Sequence, residues 1–414
     1  MSIIKKVKKQ INATISKYGI LYGIIVLCFS PISLLLQSIV SFYYVKKGRT
    51  NKYVLFQSWP DFSDNCLILL EYFIQNNILM DYKFIWLVKN CKSYKKFYKG
   101  CEIYFVQRVK YGVASIKAIK ALSTAKYIFS SHAVSFPSSK RIPSQLYVML
   151  WHGCGYKAAS ELSFDWKFDK ALVPGNLFVE TKSKFWNTTK DKLIVMGYPR
   201  YDWLLYPTSK TQEKYAEIKG LFKKCILWMP TFRNSTRGDY KESVISEFPL
   251  IKCQSDWIEL DRRCKELNIL LLVKYHVSQK NYQIDFNTFS NIKHITERFF
   301  LDADIPKYEF IALTDGLISD YSSVAFDYLI VDKPIAYALD DYELYKQTRG
   351  FVFDNPLDYM PGHHLYNLKD LMVYLNDVAS GNDAFYKQRF EVRKLAIYDS
   401  DCYCKELVNY LGIK

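Results

Sequence analysis

From Lys52 onward the chain alternates short apolar runs with stretches of helical periodicity, and this alternation restricts the fold more than any other feature. The first series of runs is Val54–Phe56, Phe84–Val88, Ile103–Val106, Tyr127–Phe129, Leu146–Leu150 and Lys170–Val173. A second series follows near Cys225, with Ile226–Met229, Ile269–Val273, Ile292–Ile295, Gly316–Ser319 and Pro334–Tyr337. Helical stretches such as Asn65–Asn76, Gly112–Ser123, Ser255–Leu267 and Ser323–Val331 lie between them. Runs that are apolar throughout suit strands buried on both faces, and helical crossovers make such strands parallel. The pattern therefore predicts an α/β protein of two Rossmann-like domains, 51–206 and 225–414, facing one another across a cleft. The polar segment 207–224 is read as a linker.

A length of 414 residues fits about two domains, and with half its residues hydrophobic the chain can bury two substantial cores. The formal net charge of +16 calls for an anionic partner: nucleic acid, an anionic membrane surface or a phosphate-rich substrate. The sequence contains no RNA-binding signature, zinc-finger spacing or basic-region heptad, which sets nucleic acid aside. The ten cysteines show no metal-ligand spacing and read as free thiols in a reducing compartment.

Residues 1–50 have a different character. Lys5, Lys6, Lys8, Lys9 and Lys17 precede the uncharged run Tyr18–Val45, and Lys46, Lys47, Arg49 and Lys52 follow it. The run exceeds the roughly 20 residues that cross a bilayer, yet Pro31 interrupts it and both flanks are basic. A bent or interfacial membrane-associating segment meets these demands better than a simple span or a buried core element, and the run is too long for a cleaved signal peptide.

In an open α/β sheet, ligands bind beyond the carboxyl ends of the strands, so the polar turns there are the candidate sites. Asp315–Tyr328 runs from a buried strand through Ser319–Ser323 into a helix start, where unpaired N–H groups and the hydroxyls of Ser322 and Ser323 suit a diphosphate. The turn alone reads more readily as an ordinary capped helix, since serine caps are common. Trp151-His152-Gly153-Cys154-Gly155-Tyr156-Lys157 sets a histidine and two glycines at a strand end. The glycines allow close backbone approach, and the imidazole can act as a general base for an alcohol or as a structural loop histidine. Lys274 and His276 follow Val273 and could neutralise a diphosphate; Arg233, after Pro230, and Arg349 offer guanidinium forks for phosphate. Asp302 and Asp304 invite a metal reading, which the available basic groups make unnecessary, and His363-His364 reads as surface loop.

Five of these motifs together, in order, resemble the CDP-glycerol glycerophosphotransferases. They are Trp151–Lys157, Gly197-Tyr198-Pro199-Arg200-Tyr201-Asp202, Pro230-Thr231-Phe232-Arg233, Ser319–Tyr328 and Arg349-Gly350-Phe351; Ser58–Asn65 looks like the family's early motif. The resemblance implies a GT-B fold with an N-terminal acceptor domain and a C-terminal CDP-donor domain. It also implies metal-independent transfer from CDP-glycerol, or a related CDP-polyol such as CDP-ribitol, to a lipid-linked saccharide or growing polymer. Attachment to the cytoplasmic face of the cell membrane, and no cofactor, go with it. His152 would be the acceptor-activating base and His276 a holder of the donor diphosphate, with Arg233, Lys274, Ser322, Ser323, Asp327 and Arg349 on the donor side. The chain departs from the family pattern at Cys154-Gly155-Tyr156 and at Val277, beside the reacting groups. A GT-B glycosyltransferase using a nucleotide sugar shares the fold and the phosphate turn.

Overall fold

The computed structural model describes Leu35 and residues 38–48, 50–110, 113–134, 141–158, 166–231, 248–275 and 284–414. Arg233, His276 and most of Tyr18–Val45 lie outside the described residues. The strands are β1 (Asn51–Gln57), β2 (Lys83–Val88), β3 (Phe97–Tyr98), β4 (Cys101–Gln107), β5 (Val109–Lys110), β6 (Val113–Ala114), β7 (Ala125–Ser130), β8 (Leu146–Met149), β9 (Lys170–Val173) and β10 (Leu193–Val195). They continue with β11 (Lys224–Trp228), β12 (Ile269–Val273), β13 (Ile292–His294), β14 (Gly316–Ser319), β15 (Ile335–Ala338) and β16 (His363–Leu365). The chain divides into two compact units, one comprising Met1–His152, Trp166–Ala171 and Val408–Lys414, the other Gly153–Asp165 and Leu172–Leu407.

The first sheet has the order β10-β9-β8-β7-β1-β2-β4-β3, and the division between the units falls inside β9. β1 pairs in parallel with β2 and β7, and β8 with β7 and β9; the short β3 is antiparallel at the edge. Helix Asp64–Gln75 covers this sheet because Cys66, Leu69, Leu70 and Phe73 recur at helical spacing and are all buried. At the sheet's centre the Phe56 ring stacks between Trp86 at 5.2 Å and Phe129 at 5.5 Å. Such pairs add roughly 0.5–1.5 kcal/mol each beyond the area they bury.

The second unit holds the sheet β13-β12-β11-β14-β15-β16, and every neighbouring pair is parallel. Trp228, Leu271, Val273, Ile318 and Ala336 form its core with Trp257, Leu260 and Cys264 of helix Gln254–Glu266 and Leu371, Tyr374 and Leu375 of helix Leu368–Ser380. Strand order reverses between β11 and β14, the topological switch point of such a sheet. Segment 207–224, read as a linker, contains helix Ser209–Lys219 and packs within this unit. Tyr215 lies against Phe310 at 5.3 Å, and the hydroxyls of Thr208 and Thr211 donate to Glu309 at 2.6 and 2.5 Å.

The pair His363-His364, expected in a surface loop, forms part of β16 instead. His363 Nε2 lies 3.2 Å from Asp377, and His364 Nε2 donates to the Met360 carbonyl at 3.0 Å. Among the described residues no helix is long and apolar enough to cross a membrane. The helical stretch 38–46 is bound to helix Ile116–Thr124 by a hydrogen bond between Ser41 and Ser123, 2.9 Å.

Candidate functional site

In the first unit, β8 ends in a sharp turn. Trp151 takes a left-handed backbone conformation, φ 60°, a costly one for a bulky residue. The surroundings hold it there: Asn65 Nδ2 donates to the Trp151 carbonyl at 2.8 Å, and the buried indole meets Trp166 edge-on at 5.8 Å. The next residue, His152, is thereby presented half-buried at the strand end. Its Nδ1 lies 3.2 Å from the Ser131 carbonyl.

In the second unit, the turn after β14 is fastened at both ends. Asp320, fully buried, accepts from the backbone N–H and hydroxyl of Thr231, both at 2.8 Å, which ties the ends of β11 and β14 together at the switch point. Asp327, 1% exposed, accepts from Arg200 at 2.8 Å, Tyr201 at 2.9 Å and Tyr308 at 3.3 Å. Arg200 is itself wholly buried, its guanidinium stacked over Tyr198 and Tyr308. Asp327, expected among the donor-binding groups, is bonded by its carboxylate to this network, which holds the helix start after the turn. Between these anchors Ser322 and Ser323 remain half-buried.

The two glycines after His152 act on the same turn. A Cβ on Gly153, whose φ is 132°, would meet Ser323 Oγ at 2.7 Å, and one on Gly155 would meet the Ser323 backbone nitrogen at 3.1 Å. The sequence suggested that these glycines allow approach to a ligand; within this unit they allow approach to the serine turn. Tyr156 and Lys157 carry the loop onward. The Tyr156 ring stacks on Phe326 at 4.5 Å, its hydroxyl donates to the Tyr359 carbonyl at 2.8 Å, and the backbone pairs with Gly350–Val352. Arg349 therefore stands one residue before a segment bonded to the glycine loop. Cys154, one of the departures from the family pattern, is buried 3.2 Å from the Tyr198 hydroxyl. Burial pushes both groups above their ordinary titration range, which keeps them neutral packing elements rather than reactive ones.

Lys274 follows β12 and is only 4% exposed. Its ammonium lies 3.0 Å from Glu297 Oε1, and that oxygen is shared at 3.0 Å with Lys307. Burial, aided by Lys307, lowers Lys274 to about 8. Burial also opposes ionisation of Glu297, but Lys307 and Lys274 outweigh it and hold the carboxyl at about 2. Two ammonium groups on one carboxylate leave a local excess of positive charge, which an anion can complete. Glu297, Lys307 and Arg200 were missed from sequence. Arg200 sat inside a recognised motif without a role, whereas the other two become visible only once the helices place them beside Lys274.

Asp302 is paired with Arg298 at 3.1 Å and Asp304 with Lys210 at 2.5 Å. The described residues contain no group of three or more potential metal ligands, and their nine cysteines are free thiols.

Comparison with known proteins places this arrangement. The sequence model of the CDP-glycerol:poly(glycerophosphate) glycerophosphotransferase family matches residues 39–406. The teichoic acid poly(glycerol phosphate) polymerase of Bacillus spizizenii is 25% identical over 86% of this chain and 90% of its own length. The teichoic acid ribitol-phosphate polymerase TarK of Staphylococcus aureus is 28% identical over 66% of this chain and 52% of its own. Among solved structures, a variant of the wall teichoic acid polymerase TagF superimposes with a TM-score of 0.73 at 20% identity, covering 94% of this chain and 96% of that one. Fold and sequence together define a transferase built from parallel α/β sheets. The chain belongs to the CDP-glycerol:poly(glycerophosphate) glycerophosphotransferase family, and membership makes it an enzyme of polyol-phosphate transfer.

Proposed function

We propose that this chain transfers glycerol phosphate from CDP-glycerol to a hydroxyl of a lipid-linked saccharide or growing teichoic-acid or capsule polymer, releasing CMP. The observation that carries the reading is the placement of the family's motifs at strand ends: His152 after β8, and Thr231 bonded to Asp320 across the switch point of the second sheet. In the reaction the acceptor oxygen attacks the phosphorus bearing the glycerol, the bond from that phosphorus to the CMP oxygen breaks, and the acceptor proton passes to His152. Lys274, Arg233, His276, Arg349 and the turn at Ser322–Ser323 offset the charge that develops on the leaving diphosphate oxygen. No cofactor enters this scheme. A GT-B arrangement and attachment to the cytoplasmic face of an anionic membrane belong to the same reading. The basic residues before Tyr18 support the attachment, as do the outward Ile39, Phe42 and Tyr43 of stretch 38–46.

Purified protein given radiolabelled CDP-glycerol and a lipid-linked disaccharide should produce labelled lipid and CMP; no transfer from any CDP-polyol would sink the reading. The likeness to TarK supports a second one, transfer of ribitol phosphate. Incubation with CDP-ribitol in parallel, with the products weighed by mass spectrometry, separates the two.

A further inference from the structure

His152 belongs to a small assembly within its own unit. Its ring lies flat on that of His132, with centroids 4.1 Å apart and planes 7° from parallel, and the Trp151 ring lies 4.0 Å away. The residue between β7 and His132 is Ser131, fully buried and fixed by its N–H to the Gln57 carbonyl at 3.0 Å. Ser131 reaches both histidines. Its carbonyl lies 3.2 Å from His152 Nδ1, and its hydroxyl lies 2.9 Å from His132 Nδ1 while accepting from the Trp59 N–H at 3.2 Å.

The chemistry of these contacts sets where the His152 hydrogen sits. A carbonyl only accepts, so His152 Nδ1 carries a hydrogen, and in the neutral ring the lone pair is then on Nε2. The Ser131 hydroxyl, which accepts from Trp59, can either give its hydrogen to His132 Nδ1 or accept one from it, so this contact holds the His132 ring in place without choosing its tautomer.

We propose that Ser131 and His132 are positioning residues for His152. The Ser131 carbonyl selects the tautomer whose Nε2 can accept a proton, and the His132 face sets the plane in which that lone pair points. This rests on the reading of His152 as the base, and it concerns residues of the first unit alone.

Two measurements on the full chain test it. With histidine labelled at both ring nitrogens, long-range proton–nitrogen spectra should show His152 protonated at Nδ1, with the signals assigned by His152→Gln and His132→Phe. In His132→Ala the His152 signals should become a mixture of tautomers. Turnover of the same variant should fall about 10- to 100-fold with KM for the CDP-polyol within about twofold and an unchanged melting temperature. His132→Phe, which keeps a flat ring in the stack, should recover most of the turnover. An Nε2-protonated His152 in the unaltered protein would overturn the proposal. So would His132→Ala turnover within about twofold of normal, or a loss that His132→Phe fails to rescue. If the chain turned over no CDP-polyol at all, the functional reading would fail while the spectra still decided the His152 tautomer.

Discussion

Glu297 supplies one carboxylate to two ammonium groups, and the protonation of all three follows from that imbalance. An isolated Lys–Glu pair would raise the lysine; here Lys274 is lowered to about 8 because it is dry and faces Lys307 as well as Glu297. The unfolded Glu297 carboxyl titrates at 4.5 and the folded one at about 2, so between those values only the unfolded chain takes up the proton. The stability due to Glu297 is complete above pH 4.5 and is lost as pH falls through 2. Lys274 acts in a separate window: between about 8 and 10.5 only the unfolded chain holds its proton, so its contribution makes stability rise with pH there. Glu297→Gln should cost about 1–3 kcal/mol at neutral pH, below the value for a fully buried pair because the carboxylate is 31% exposed. It should also flatten the acid limb, as urea titrations at several pH values would register. At the same scale, His152→Ala should lower turnover by about 10²–10⁴-fold while donor binding by calorimetry changes little. Near-normal turnover would remove His152 from the chemistry.

The turn 320–328 illustrates what an element requires beyond its own sequence. Its serines were legible as a helix start, and the flanking strands as buried strands. The pairing of Asp320 with Thr231 and of Asp327 with Arg200 spans 89 and 127 residues, and periodicity carries no information about such partners. Strands made of unbroken Val, Ile, Leu and Phe were readable for the same reason that the network was not. Apolar burial is written into local composition, whereas polar satisfaction depends on which distant loop arrives. β10 and β16 were missed although β13, equally short, was recognised; β16 carries two histidines, which hide it from a reading based on apolar runs. The glycines of 153–155 were recognised as sites of close approach, but the sequence could not say what they approach. Arg200→Met alone should destabilise by about 3–5 kcal/mol, because it leaves Asp327 charged and buried. Arg200→Met combined with Asp327→Leu should cost less than the two single changes added together, which chemical denaturation of the four proteins would measure. Gly155→Ala should disturb the serine turn and weaken donor binding several-fold with a stability loss of only about 1 kcal/mol, since a Cβ there needs a shift of a few tenths of an ångström.

For the whole molecule, the formal charge of +16 and the apolar run before Val45 bear on where it works. Lys46 and Lys47 follow a stretch whose Ile39, Phe42 and Tyr43 are outward-facing. Co-sedimentation of the full chain should increase with the fraction of anionic lipid in the vesicles. Part of that binding should persist at 1 M salt, where the Debye length is roughly 3 Å, if apolar insertion contributes. Binding abolished by salt would leave charge alone responsible.

The division of the chain has a consequence for its manufacture. The first unit is not a continuous stretch: it takes Trp166–Ala171 from the middle and Val408–Lys414 from the far end, with Val408 and Ile413 buried. A growing polypeptide emerges from its amino end, so residues 38–152 of this unit are made well before Trp166–Ala171 and Val408–Lys414, which belong to it. Contacts that close over so long a separation form late, and a chain that folds in this way shows apolar surface for longer on the way.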